Sequence, residues 1–144
     1  MARNLPDWRL RLDAYPVRHP ITVRVGDLDA NRHVSAIRIG EFYEEARASF
    51  YLTALKGVER PRILVAQILV RYLGEALWPG ALEVGTGIAR LGGSSFEMHQ
   101  GLFSDGACIG VCETVLVGTE QGTSAPLRAP IRAALEAMLL EVGA

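Results

Sequence analysis

One long helical stripe, set in sequence that otherwise alternates with a period of two, constrains this chain more than any other feature. Ile39, Phe42, Tyr43, Ala46, Phe50 and Ala54 recur at spacings of three and four, which lines one face of an α-helix. Arg38, Glu41, Glu45 and Arg47 fall largely off that face. Gly40 costs a helix interior about 1 kcal/mol against alanine and is tolerable where the helix presses closely on a neighbour. Gly57 suits the left-handed residue that closes many helices, so the C-terminus is expected near Lys56–Gly57.

Strand signals surround this helix. Ile21, Val23 and Val25 alternate with Thr22, Arg24 and Gly26, as in a half-buried strand. Ile63 to Tyr72 is almost continuously apolar, the pattern of a strand buried on both faces. Ala81 to Leu91 follows and stops at Gly92–Gly93, a hairpin signal. Ser94 to Phe103 alternates, with Phe96, Met98 and Leu102 opposite Glu97 and His99. Asp105–Gly106 marks a second hairpin, and Ala107 to Gly118 returns with Ile109, Val111, Val115 and Val117 on one face. Pro126 and Pro130 bracket a loop before an amphipathic helix expected over Ile131 to Leu140. The first nineteen residues form a surface arm with one short extended piece at Trp8, Leu10 and Leu12.

Tight turns make antiparallel neighbours. One helix cannot cover both faces of five strands, so the sheet is expected to curl around it. The fold class is α+β: a long helix wrapped by a curved five-stranded antiparallel sheet, with a C-terminal helix. Residues 1–144 make a single domain, 1–19 being the arm.

Composition narrows the function by exclusion. The net charge is −1, so no basic surplus asks for nucleic acid. Two cysteines are too few for a disulfide scaffold. Charge at Arg9, Arg11 and Asp13 interrupts any signal-peptide core, and no apolar run reaches the ~20 residues of a membrane span. A cytoplasmic protein without membrane insertion is expected.

The chemistry-bearing stretch is Arg24-Val25-Gly26-Asp27-Leu28-Asp29-Ala30-Asn31-Arg32-His33-Val34, between the first strand and the long helix. Helix N-termini carry free N–H groups and partial positive charge, which would stabilise the oxyanion of an acyl carbonyl under attack. A carboxylate facing that carbonyl could attack it or activate water. Asp29 is the candidate for that role and His33 a candidate acid–base beside it. Asp27 reads as a turn or structural hydrogen-bonding residue. The same residues also suit a plain capped turn, and local chemistry leaves both readings open. The histidines are scattered, and Cys108 and Cys112 sit four apart on one strand face without metal-ligand spacing, so no metal site is expected.

The combination Asp27-Leu28-Asp29, His33-Val34 and Tyr43-Glu44-Glu45-Ala46-Arg47 resembles the signature of the 4-hydroxybenzoyl-CoA thioesterase-like family of hotdog proteins. The likeness continues through Tyr72-Leu73, Pro79-Gly80, Leu91 to Phe96, Glu113 to Val117 and Pro130-Ile131. It implies a hotdog fold and acyl-CoA hydrolysis without cofactor, coenzyme A being part of the substrate. Asp29 takes the catalytic position, and oxyanion donors fall near Val34, Ser35 and Ala36. The assembly implied is a homodimer or homotetramer with acyl-CoA sites between subunits.

Arg32 stands where the family usually has glycine, and Ser35 where it has asparagine. Arg32 cannot supply glycine's freedom, so a different loop backbone is expected there. Its charge is available to a substrate carboxylate or a CoA phosphate. Some relatives carry basic residues near the Gly92 turn; here that stretch has Arg90 followed by glycines and serines, so backbone amides around Gly92 and Ser94, or other residues, are the candidates for phosphate. Glu44 is a second-line base, though pairing with Arg47 explains it cheaply. Two other readings compete: a hotdog enoyl- or hydroxyacyl-CoA hydratase using Asp29 with His33, and a non-catalytic domain binding acyl-CoA or acyl carrier protein.

Overall fold

Ser35 starts the long helix. Its backbone is extended (φ −66°, ψ 147°), and its Oγ accepts from the Arg38 amide at 3.4 Å, satisfying one of the orphan N–H groups of the first turn. The computed structural model describes residues 4–141; residues 1–3 of the arm and 142–144 lie outside the described residues. In it, helix α1 runs Ala36–Ala54 and buries Ile39, Phe42, Tyr43, Ala46 and Phe50, the stripe read from the sequence. It ends at Leu55, and Gly57 takes the left-handed conformation (φ +78°) just beyond.

The strands are β1 Val17–Thr22, β2 Ile63–Tyr72, β3 Ala81–Leu91, β4 Ser95–Ser104 and β5 Ala107–Glu120, with a two-residue β6 Thr123–Ser124 on β5. The order across the sheet is β1-β3-β4-β5-β2, all antiparallel. Asp105 (φ +49°) and Gly106 (φ +81°) make the β4–β5 turn, both positive as a type I′ hairpin requires. The sheet curls round α1, as expected of a hotdog domain. Tyr43 joins Leu82, Val84, Leu102 and Cys112 in one half of the core. Phe50 joins Ile88, Phe96, Met98 and Leu116 in the other. No helix among the described residues is long and apolar enough to cross a membrane.

Several expectations are corrected. The first strand lies earlier than the Ile21–Val25 alternation suggested: β1 ends at Thr22, and Val25 opens a 3₁₀ turn. The arm is not extended at Trp8 but folds as two 3₁₀ turns, Asp7–Leu10 and Leu12–Ala14. Trp8 and Tyr15 are buried on the outer face of the sheet with Phe103 and Leu140. Close approach makes that possible, since a Cβ on Gly85 would lie 2.6 Å from the Tyr15 ring. Helix α2, Ala129–Glu136, stops short of Leu140. There the chain turns to strand-like pairing, Ile88 donating to the Met138 carbonyl at 2.9 Å and Leu140 to the Ile88 carbonyl at 2.7 Å.

Cys108 and Cys112 do not share a face. A bulge at Ile109 pairs Cys108 with Phe103 but Gly110 with Leu102, leaving Cys108 against the outer cluster and Cys112 in the inner core. The apolar strand β2 is an edge of the sheet, with Leu64, Val65, Ile68 and Leu69 between 40% and 58% exposed, not buried on both faces.

A Cβ added at Gly40 would meet nothing within 4 Å, so no close approach requires glycine there. Gly40→Ala is therefore expected to stabilise the fold by about 0.5–1 kcal/mol, read as a rise in denaturant midpoint at constant slope.

Candidate active site

Asp27 knots the segment leading into α1. Its carboxylate is buried, Oδ2 accepting from the Arg24 amide at 2.8 Å, and its carbonyl accepts from the Ser35 amide at 2.9 Å. Arg38 Nε stands 3.8 Å from Oδ1. This is the structural role read from the sequence.

Asp29 lies at the surface, at the head of a narrow loop closed by a Leu28–Val34 bridge. Its amide donates to the His33 carbonyl at 2.8 Å, and its Oδ1 accepts from the amides of Asn31 at 2.8 Å and His33 at 3.2 Å. Oδ2 has no protein partner among the described residues, so one oxygen anchors the loop while the other stays open. Arg32 adopts φ +62°. The loop thus keeps a backbone that favours glycine, contrary to the expected divergence, at a strain of about 1–2 kcal/mol. Its exposed side chain makes no ion pair among the described residues.

His33 is half-buried and its Nε2 lies 3.4 Å from Glu75 Oε2; it meets Asp29 through its amide, not its imidazole. The amide of Val34 is taken by the Ala76 carbonyl at 2.9 Å and that of Ser35 by Asp27. Of the three donors expected, Ala36 remains, joined by Ile37: these first-turn amides have no intrahelical acceptor. Gly92 and Ser94 lie elsewhere. Thr22 pairs with Ala81 at the start of β3, so the Asp29 loop and the Gly92 turn are separated by the length of β3, roughly 30 Å at ~3.3 Å per residue.

Arg47 was expected largely off the buried stripe, pairing with Glu44. It turns inward and is buried, donating to Gln100 Oε1 at 3.3 Å and Thr114 Oγ1 at 3.5 Å. Gln100 in turn donates to the Tyr43 carbonyl at 3.0 Å and Thr86 Oγ1 at 3.1 Å. These sheet acceptors draw the guanidinium into the core and leave Glu44 without an ion partner among the described residues. Glu44 stands at a groove of about 320 Å³ between α1 and β2, walled by Ala48, Tyr51, Leu55, Val65 and Leu116. Burial pushes the Tyr51 hydroxyl up to about 12.

A family model for the Thioesterase-like superfamily matches residues 23–137. The chain belongs to this superfamily. A thioesterase from Thermus thermophilus, solved in complex with coenzyme A and zinc, is 30% identical to it. The TM-score is 0.79, covering 88% of this chain and 96% of that one. The PA5185 protein from Pseudomonas aeruginosa is 24% identical (TM-score 0.81, 93% and 99% covered). A thioesterase superfamily structure from Jannaschia sp. CCS1 is 20% identical (TM-score 0.82, 91% and 97% covered). These two speak for the fold alone. No curated protein matches.

This thioesterase-like domain also gathers residues that the sequence left scattered. Glu97, His99 and Glu113 bring ligand-type atoms within 4.8 Å of one another on the outer sheet face. The buried Arg9 takes Glu113 at 2.6 Å, Glu97 takes His99 Nε2 at 2.7 Å, and Trp8 stacks over the imidazole. This grouping escaped the sequence reading because His99 and Glu113 meet only across the β4–β5 register. Burial is the main force pushing His99 below its usual 6.5, against the Glu97 hydrogen bond. Burial would raise Glu113, but the Arg9 hydrogen bond and charge hold it below 4.5.

Both shifts give stability the same sign. The folded state binds His99's proton less tightly than the unfolded chain, so stability falls as pH drops below the unfolded value. The Glu113 contribution is lost later, as pH falls from the unfolded value through the depressed folded one. Thermal melts should show the midpoint declining as pH falls through and below 6.5, and His99→Phe, which keeps a ring under Trp8, should flatten that decline.

Proposed function

We propose that this chain hydrolyses acyl-CoA thioesters, with Asp29 as nucleophile or general base and the Ala36 and Ile37 amides receiving the oxyanion. The observation that carries the reading is the open Oδ2 of Asp29, held on a fixed loop at the head of a helix whose first amides are free. As nucleophile, Asp29 would bond to the acyl carbon, the C–S bond would break, and CoA thiolate would leave. Water would then hydrolyse the mixed anhydride. As general base, Asp29 would take a proton from water as its oxygen attacks, and collapse of the tetrahedral intermediate would expel the same thiolate. No metal or prosthetic group enters either route; coenzyme A belongs to the substrate. The Thermus relative bound to coenzyme A supports this substrate class.

The working unit in this reading is at least a dimer. A ten-residue apolar edge strand is an open template for pairing, and a second copy of β2 is its most economical cover. Self-pairing about a two-fold axis is antiparallel, which brings the partner's end of β2 to the start of this one. Beyond Tyr72 the chain reaches Ala76 and Leu77, which hold Val34 and His33. The partner's catalytic loop then arrives beside residues 60–63, at the groove between α1 and β2. A medium-chain or aromatic acyl group would lie in that groove, against Ala48, Tyr51 and Leu116.

A hydratase would need His33 to work with Asp29, and its imidazole faces Glu75 instead. The two reactions separate in one assay: hydrolysis liberates free thiol from saturated or aromatic acyl-CoA, while hydration removes enoyl absorbance without thiol. A chain that raises its melting temperature with acyl-CoA but does neither would be a binding domain, and the proposal would fail.

A further inference from the structure

Arg47 is a buried charge without a counter-charge. It is 7% exposed, and no carboxylate lies within ion-pair distance of it among the described residues. Its side-chain bonds to those residues run from Nη1 to the neutral acceptors Gln100 Oε1 at 3.3 Å and Thr114 Oγ1 at 3.5 Å. Both are long for a charged donor, whose bonds to anionic oxygen run nearer ~2.8 Å. Nε and Nη2 bond to none of the described residues. Buried charges are normally paired, and a guanidinium cannot give up its proton to avoid the cost. The other buried arginine, Arg9, follows that rule by taking Glu113 at 2.6 Å. Arg47 lines the groove between α1 and β2 together with Tyr51, whose buried hydroxyl also lacks a partner. The other charges on the groove, Glu44 and Arg60, are exposed and of opposite sign, which leaves the buried guanidinium unbalanced. Thr114, which anchors Nη1, pairs with Ile68 on β2. That is roughly 15 Å along the strand from Ile63, at ~3.3 Å per residue. In the dimer described above the thioester reacts at the Ile63 end, so Arg47 faces the far end of the acyl group.

We propose that the acyl group this chain accepts ends in a carboxylate, bound by the guanidinium of Arg47. The substrate class is then the CoA thioester of an α,ω-dicarboxylic acid. This rests on the thioesterase reading above. A carboxylate takes two parallel bonds from the Nε–Nη2 edge of a guanidinium, and those are the two nitrogens that the protein leaves free. The walls at Ala48, Val65 and Leu116 suit the methylene run between the two ends. A methyl-ended chain in the same groove would lay hydrocarbon against an unpaired charge, so the arginine that recognises one end group also rejects the other.

The test measures kcat/KM on matched pairs of CoA thioesters: adipoyl with hexanoyl, suberoyl with octanoyl, and sebacoyl with decanoyl. Wild type should favour the carboxyl-ended member of at least one pair by about a hundredfold or more, because a site built to bond a polar group rejects the analogue that lacks it. This comparison needs no variant, so it decides the matter even where a substitution fails to fold. Arg47→Met, which keeps an unbranched stem without the charge, should invert the preference. Arg47→Lys, charged but without the fork, should restore part of it. Wild type that favours the methyl-ended members, or Arg47→Met that lowers both members alike, would overturn the proposal while leaving hydrolysis standing. So would Arg47→Met that sediments as a monomer where wild type does not, since the guanidinium would then serve the subunit contact. If wild type hydrolyses none of the six, the thioesterase reading fails and calorimetry with the same pairs decides the site. Tighter binding of a carboxyl-ended member, lost in Arg47→Met, would sustain the carboxylate site, and equal binding of both members would end it.

Discussion

Asp29→Asn should lower thiol release by about a thousandfold, the scale of losing a positioned base or nucleophile, while coenzyme A binding stays near wild type. Asparagine is nearly the same shape, and its side-chain oxygen can still accept from the Asn31 and His33 amides that hold the loop. What it loses is charge: an amide neither attacks a thioester carbonyl nor takes a proton from water. An unchanged melting temperature would separate this chemical loss from loop collapse. Activity retained within about tenfold would move the chemistry elsewhere, and Glu44 at the groove is the next carboxylate to test.

Ile68→Asp should produce a folded monomer with activity reduced by at least about a hundredfold, because a site assembled from two copies loses its positioning when they separate. Ile68 is 48% exposed in the single chain, so the substitution removes little core. It does place a charge on the side of β2 that faces α1, the device by which natural edge strands refuse partners. Light scattering or sedimentation would read the mass and circular dichroism the fold. A variant that remains a fully active dimer would place the subunit contact on another surface.

Much of the fold was legible because local patterns carried it. The α1 stripe, the Asp105–Gly106 turn and the left-handed Gly57 each follow from spacing or from backbone freedom within a few residues. Some of the misreadings arise because a partner distant in sequence decided the outcome, or because none was present. Arg47 is polar by type, yet Gln100 and Thr114 offer it acceptors inside the sheet. The bulge at Ile109 shifts the alternation by one residue, which no composition reveals. Strand β2 looks doubly buried because apolar residues occupy both its faces, but within one chain it is an edge. Its pattern describes the surface that a second copy would cover.

The loop around Asp29 was legible in residue type and less so in its donors. The amides of Val34 and Ser35 are spent on Ala76 and Asp27, long-range and loop-closing bonds that sequence order does not announce. Arg32 keeps a glycine-like backbone because the Asp29–His33 bonds on either side over-determine it, which is how strained conformations persist.

If the catalytic carboxylate and the acyl groove come from different copies of the chain, variants that each lose one of the two must restore each other in mixed dimers. Asp29→Asn and a groove-filling Ala48→Trp variant, each inactive alone, would be unfolded together, refolded and assayed for thiol release. Random pairing makes half the dimers mixed, each with one intact site, so activity should return to roughly a quarter of wild type. No recovery, from mixed dimers shown to have formed, would contradict the shared site.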